Sequence, residues 1–142
     1  MKTFWLDTEF NGFGGELISA ALVAEDGTEW YKTVGCKNPV PWAAENVIPH
    51  LGIKPVKLAT VQESLRVFLS HYEHVNIISD WPTDIEHFCN LLCVRPFSGS
   101  IIHTPPLSFE VKTWLNGQFK SAVQHNALED ARAFMQHDLN NS

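Results

Sequence analysis

Short apolar runs separated by turn-forming residues predict three strands in the first third of the chain. Between the second and third runs, Asp26-Gly27 is a dipeptide typical of hairpin turns. The glycine-rich segment 11–15 fits only a turn or loop between the first two runs. The runs, which are rich in β-branched, aromatic and small apolar side chains, are residues 3–7, 16–24 and 29–34.

Farther along the chain the apolar spacing becomes helical. Four apolar residues recur at helical intervals behind Thr60, which we expect to cap that helix. The apolar run 75–79 indicates a fourth strand, and 84–92 a second helix. The final helix is expected to begin after Asn126, a typical N-cap residue. A short helix is also predicted at 43–47, within a proline-rich stretch.

The order of these elements predicts an α/β fold. Three strands are followed by a helix, a strand and a helix, and the chain ends on a helix, which suits a sheet that carries helices on its faces. The segment 101–109 is strand or loop, because Pro105 and Pro106 interrupt it. No repeat or linker divides the 142 residues, so we expect a single domain over residues 1–142.

Composition bears on the cellular setting. The sequence has no run of 18 or more apolar residues, the length that a membrane-spanning helix needs. Asp7 and Glu9 stand where a signal peptide is apolar. The three cysteines form no Cys-x-x-Cys pair, and we expect them to be reduced. We therefore expect a cytoplasmic protein that does not contact a membrane.

The formal charge of −6 has the wrong sign for a protein that holds phosphates through Lys and Arg. This objection weakens if several of the acids bind divalent cations, because such ions turn an acidic site into one that attracts anions. The charge therefore argues against a metal-free nucleic-acid-binding protein more than against a metal-dependent one.

Three acidic segments carry the candidate chemistry. Asp7 and Glu9 stand two apart on a predicted strand and so share a face, where hard divalent cations would relieve their repulsion. Asp84 opens the helix after the fourth strand, at the sheet edge where α/β proteins build sites. His125 precedes the final helix and Asp130 lies near its start, where an imidazole can take a proton near neutral pH.

Each segment alone also has a plainer interpretation. Acids at the end of a strand are often only solvated, and Asp80 or Asp84 can serve as a helix cap. A histidine before a helix is most often an ordinary surface residue. The occurrence of all three segments in this order is a more specific indication of function than any one segment alone.

Together they resemble the DEDD superfamily of 3′–5′ exonucleases, in the branch with a histidine in its last motif. Asp7 and Glu9 match the Asp-x-Glu motif, Asp84 the second-motif aspartate, and His125 with Asp130 the pattern His-x-x-x-x-Asp. The Asp-Thr-Glu-Phe start and the Val-Ala-Glu-Asp-Gly hairpin are similar to those of small bacterial and phage exoribonucleases of the mycobacterial type.

One departure concerns the second motif. Many relatives carry Asn four residues before its aspartate, where this chain has Asp80. The ligand is therefore Asp80 or Asp84, and the helix that follows favours Asp84.

The resemblance implies a ribonuclease-H-like fold, with a mixed central sheet and helices on both faces. It also implies two Mg²⁺ or Mn²⁺ ions held by Asp7, Glu9, Asp84 and Asp130. His125 would act as the general base, and nucleoside 5′-monophosphates would leave from the 3′ end of a single strand of RNA or, less favoured, DNA. Relatives of this kind are commonly homodimers, and we expect one here.

The residues beside the acids are expected to contact substrate: Thr8, Phe10, Asn11, Phe13 and Trp81. The aromatic members of this set could stack on bases or could simply pack in the core or at its rim. The alternative functions are an exodeoxyribonuclease of the same family, a metal-dependent hydrolase of small nucleotides, and a non-catalytic nucleic-acid-binding module on the same fold.

Overall fold

A five-stranded mixed sheet forms the centre of the protein in the computed structural model, which describes residues 1–94 and 99–142. The strands lie in the order β3-β2-β1-β4-β5. β1 pairs antiparallel with β2 and parallel with β4, and β5 continues the parallel part of the sheet. The strands are β1 Lys2–Phe10, β2 Leu17–Val23, β3 Glu29–Thr33, β4 Val75–Ser79 and β5 Leu107–Val111.

Helices cover both faces of this sheet. Within the described residues the α-helices are α1 Pro41–Asn46, α2 Leu58–Leu69, α3 Pro82–Leu92 and α4 Ala127–Asn140. Short 3₁₀ turns occur at Ile48–His50 and Thr113–Leu115. None of the helices in these parts of the chain is long and apolar enough to cross a membrane.

The alternation of side chains along the strands separates two cores. Phe4 and Leu6 of β1 pack with α2 and α3, whereas Trp5 between them packs with α4. In β4, Ile77 lies in the core with α2 and α3, and Ile78 lies in the core with α4. The mixed central sheet with helices on both faces is therefore confirmed, and Asp7 and Glu9, like Trp5, point to the face that α4 covers.

The hairpin between β2 and β3 and the cap at Asn126 are confirmed. Gly27 has a positive φ of 90° at the hairpin, and the Asn126 side chain accepts a hydrogen bond from the Glu129 backbone N–H at 3.0 Å. The predicted cap at Thr60 is wrong. Helix α2 begins at Leu58, whose side chain packs against the core, and Thr60 lies in its first turn.

The ambiguous segment after the two prolines contains β5, and it runs parallel to β4. The short helix predicted at 43–47 begins earlier, at Pro41, a residue already set for a first helical turn. Helix α3 likewise begins at Pro82 rather than Asp84. Its N-cap is Trp81, which makes no side-chain cap bond, so neither Asp80 nor Asp84 serves as the cap.

A buried carboxylate ties α4 to the sheet. Asp138 is only 6% exposed and accepts a hydrogen bond from the Trp5 indole Nε1 at 2.9 Å. The Lys112 ammonium donates to both of its oxygens, at 2.9 and 2.8 Å. These bonds join β1, the segment after β5 and the C-terminal end of α4, and so fix the helix that carries Asp130.

Replacing Asp138 with Ala is expected to lower the free energy of unfolding by about 3 kcal/mol, because a partly buried ammonium and a buried indole N–H lose their acceptor. Urea denaturation followed by circular dichroism measures this loss. The control is Glu63→Ala, which breaks an exposed pair with Arg66 and should change stability far less. Equal losses in the two variants would show that the Asp138 contacts contribute little.

Candidate metal centre

The topology of the sheet brings the acidic segments together at one edge. β1 and β4 run parallel with Trp5 opposite Ile78, so Asp7 and Asp80 both follow two residues later at the same edge. Asp84 lies on the first turn of α3, directly after β4. Asp130 lies on the first turn of α4, which packs across β1 and β2.

Three aspartates form the first ligand group. Oxygens of Asp7, Asp80 and Asp84 all lie within 4.8 Å of one another. Asp84 is buried, and its Oδ2 accepts a hydrogen bond from the Ser79 hydroxyl at 3.2 Å. Asp80 accepts one from the Asn116 amide at 3.0 Å. These donors orient the carboxylates and leave each with lone pairs for a cation.

The second group combines two acids with the histidine. Ligand atoms of Glu9, His125 and Asp130 lie within 4.8 Å of one another. Asp130 accepts hydrogen bonds from the Ser121 hydroxyl at 2.5 Å and from the His125 backbone N–H at 3.1 Å. The predicted ligands thus fall into two groups, and the structure adds Asp80 to one and His125 to the other.

Burial and mutual repulsion raise the pKa values of the clustered carboxylates. Burial, followed by the charges of Asp84 and Glu9, raises the pKa of Asp7 well above its ordinary value. Burial, with a further contribution from Asp130, raises the pKa of Glu9 to about 9. Burial also raises the pKa of Asp84 to about 7, although the hydrogen bond from Thr8 opposes this shift. Without a cation, the site therefore favours protonated acids.

One atom in particular fits a bound cation. The Oδ2 atom of Asp7 is buried and has no hydrogen-bond partner among residues 1–94 and 99–142. A buried carboxylate oxygen without a donor is costly unless a cation neutralises it. Oxygen ligands of this kind suit Mg²⁺ and Mn²⁺. The residues present therefore fit a divalent metal.

His125 adopts a backbone conformation that is uncommon for residues other than glycine. Its φ is +66°, in the left-handed region. This conformation directs its backbone N–H to Asp130, and the edge of Trp42 contacts its ring with centroids 4.9 Å apart. Such backbone geometry is often found at functional sites. The sequence offered no signal for the contact with Trp42, which comes from the separate helix α1.

An aromatic cavity of about 370 Å³ lies next to the second group, lined by Glu9, Phe10, Gly12, Phe13 and Trp42. Phe10 is held by stacking on His87, with centroids 4.8 Å apart and planes at 26°. Phe13 is fully exposed at the tip of the loop after β1. This cavity has room for a flat aromatic ligand beside the carboxylates.

A glycine keeps the loop after β1 in place. A Cβ added to Gly15 would lie 1.8 Å from the Asn11 carbonyl oxygen, so only glycine fits there. A second cavity, of about 500 Å³, lies between this loop and α3, and it contains none of the clustered carboxylates.

Two of the predicted substrate contacts are buried side chains that make hydrogen bonds within the site. The sequence predicts that Thr8 and Asn11 contact substrate, whereas both side chains are buried. The Thr8 hydroxyl donates to Asp84, because Thr8 points to the α3 face of β1. The Asn11 side chain accepts from the Val40 backbone N–H at 2.8 Å and donates to Glu16 at 3.1 Å. Both residues hold the site's framework together.

The remaining predicted contacts are placed where a ligand can reach them. Phe10 and Phe13 line the aromatic cavity, and Trp81 is 48% exposed beside Asp80. The two ligand groups, this cavity and the exposed tryptophan all lie along one edge of the sheet. No protein-family model and no curated protein matches the chain.

Proposed function

We propose that the protein is a metal-dependent 3′–5′ exonuclease that releases nucleoside 5′-monophosphates from a single strand, RNA in preference to DNA. The observation that carries the proposal is the pair of adjacent ligand groups, Asp7 with Asp80 and Asp84, and Glu9 with Asp130 and His125. Together the two groups contain the four acids and the histidine that the resemblance to DEDD exonucleases assigns to the site. The mixed sheet with helices on both faces is compatible with the ribonuclease-H-like fold of that superfamily.

The acids would hold two divalent cations, Mg²⁺ or Mn²⁺. Asp7, Asp80 and Asp84 would bind at one position, and Glu9 with Asp130 at the other. When bound, such ions lower the pKa of a water molecule and offset the charge that develops on a phosphate.

The protein's own groups supply the proton transfer. The His125 ring lies beside Glu9 and Asp130, where an imidazole nitrogen can accept the proton of the attacking water. Its fixed backbone and the edge of Trp42 restrict the motion of the ring.

The aromatic cavity supports attack at a chain end. Phe10, Phe13 and Trp42 surround a space that suits one base, directly beside Glu9. A base held there would place its phosphodiester at the carboxylates. The preference for RNA follows from the resemblance to exoribonucleases.

An end-labelling experiment tests the proposal. Single-stranded RNA and the matching DNA, each labelled at the 5′ or the 3′ end, are incubated with Mg²⁺ or Mn²⁺. Exonuclease action from the 3′ end releases the 3′ label at once as a mononucleotide and shortens the 5′-labelled strand in single steps. Internal fragments from the start, or no cleavage, would contradict the proposal. Faster trimming of DNA would reverse the RNA preference.

Replacing His125 is expected to lower kcat by about 10²–10⁴-fold while cation binding persists, since this is the usual contribution of a general base. Two variants are needed because of the positive φ at this position. His125→Ala removes the ring, and His125→Asn does so with a residue that tolerates the left-handed region better. Single-turnover cleavage and calorimetric titration with Mn²⁺ measure the two effects. Loss of cation binding in both variants would make His125 a metal ligand instead.

A further inference from the structure

Two exposed tryptophans follow the parallel strands at the edge that carries the carboxylates. Trp81 comes directly after Asp80 and is 48% exposed. Trp114 lies on the 3₁₀ turn after β5 and is 68% exposed. Since the sheet order is β2-β1-β4-β5, the aromatic cavity at the end of β1, the carboxylates, Trp81 and Trp114 follow one another along this edge.

Both tryptophans are held on fixed backbone. The Lys112 backbone N–H donates to the Ser79 carbonyl at 2.7 Å, which joins the segments that carry them. The Asn116 amide donates to Asp80 at 3.0 Å. The Ser79 hydroxyl accepts from the Trp81 backbone N–H at 3.1 Å. The backbone that carries the two indoles therefore need not be ordered at a cost when they bind a ligand.

The side chains of Trp81 and Trp114 differ in their contacts from those of the buried tryptophans. Buried Trp5 and Trp30 donate their indole N–H groups to Asp138 and Ser64. Trp81 and Trp114 make no indole hydrogen bond and no ring contact with the described parts of the chain. Large exposed aromatic side chains beside a polar site are typical of a binding surface.

The charges nearby favour a particular ligand. The ammonium of Lys112, in the segment between β5 and Trp114, is paired with Asp138 and is not free to bind a phosphate. A surface of this kind attracts flat, uncharged rings rather than phosphate groups. Nucleobases stack on indoles with little dependence on sequence or charge.

We propose that Trp81 and Trp114 form a stacking platform for the bases two or more positions upstream of the 3′-terminal nucleotide. The inference rests on the proposed function, because it places the 3′ end at the carboxylates. In this arrangement the substrate strand lies along the sheet edge, with its 3′ end at the aromatic cavity and its upstream nucleotides passing β4 toward β5. The arrangement also makes a strand of several nucleotides the preferred substrate, since a dinucleotide ends before the platform.

Cleavage of two substrate lengths tests the platform. Wild type, Trp81→Ala, Trp114→Ala and the double variant are compared on a pentanucleotide and a dinucleotide. Each substitution is expected to lower kcat/KM for the pentanucleotide by about tenfold, the usual scale for one stacked base. The loss should appear in KM, with the dinucleotide unchanged. Phe at both positions should restore most of the activity, and Val67→Ala, an exposed apolar residue on α2, is the control.

Three outcomes would overturn the platform. An equal loss on both substrates would indicate a structural effect, and no loss on either would show that the indoles are not used. A wild-type dimer that becomes a monomer in the double variant, by light scattering, would assign this surface to a second copy of the chain.

Binding separates this inference from the proposed function. Fluorescence anisotropy of a 5′-labelled pentanucleotide is measured with Asp7→Asn, alone and combined with the double variant. If wild type cleaves no substrate, the exonuclease proposal fails. The platform still stands in that case if the tryptophan substitutions weaken binding about tenfold or more. It falls if they do not, or if the pentanucleotide fails to bind.

Discussion

Replacing Asp7 with Asn is expected to lower the rate of cleavage by about 10³-fold or more, the upper scale for removing one preorganised electrostatic contact. The same change should stabilise the cation-free protein by roughly 1–3 kcal/mol. Both effects have one origin. The Asp7 carboxylate has a buried oxygen without a donor, and its charge is opposed by those of Asp84 and Glu9. Asn keeps the shape and removes the charge.

Two measurements check this expectation. Urea unfolding in EDTA gives the change in stability, and cleavage of an end-labelled strand with Mg²⁺ gives the change in rate. Glu25→Gln removes an exposed acid in the β2–β3 hairpin and should leave both values unchanged. We expect the cleavage rate to fall while the free energy of unfolding in EDTA rises. A variant that is inactive and also strongly destabilised would contradict this and would show that Asp7 stabilises the fold.

Removing divalent cations is expected to abolish cleavage, and adding them should stabilise the protein more as the pH rises. In the folded protein the pKa of Glu9 is about 9 and that of Asp84 about 7. Both exceed the ordinary values, so the stability present below pH ~4 in EDTA is lost as the pH rises through 7 toward 9. A cation binds the ionised acids and reverses this loss, by about 3 kcal/mol at about 100 times its dissociation constant.

Thermal unfolding from pH 5 to pH 9, in EDTA and in Mg²⁺, measures the effect. The two melting temperatures should diverge with rising pH. With Asp7→Asn the divergence should shrink, since one ligand is lost. Full cleavage in excess EDTA, with the absence of metal shown by elemental analysis, would rule out the cation-dependent mechanism.

Local signals were enough to predict much of the fold. The Asp26-Gly27 turn and the Asn126 cap depend on residues close in sequence, and both are confirmed. The boundary at Thr60 failed because burial of Leu58 outweighs a local capping preference. Strand β5 was ambiguous in the sequence because its pairing with β4 is non-local. In addition, Pro105 and Pro106 interrupt the apolar segment in which it lies.

The acids of the candidate site could be found in the sequence, but their grouping could not. That Asp80 joins Asp7 and Asp84 depends on the parallel register of β1 and β4. The sequence favoured Asp84 over Asp80 because a helix follows it, whereas the structure places both aspartates in one group. Thr8 could be recognised as a positioning residue only from its face of β1, because alternation directs it to α3.

The hydrogen bond between Trp5 and Asp138 has a consequence for how the protein folds. These residues are 133 positions apart, and contacts of such separation must first offset the entropy of closing a long loop. Glu9 and Asp130 meet only once α4 has docked against β1. A chain that has formed its sheet and its other helices would therefore still lack one of the two ligand groups. The second cation position would be complete only when α4 docks, so under the proposed function an unfinished chain would not cleave nucleic acid.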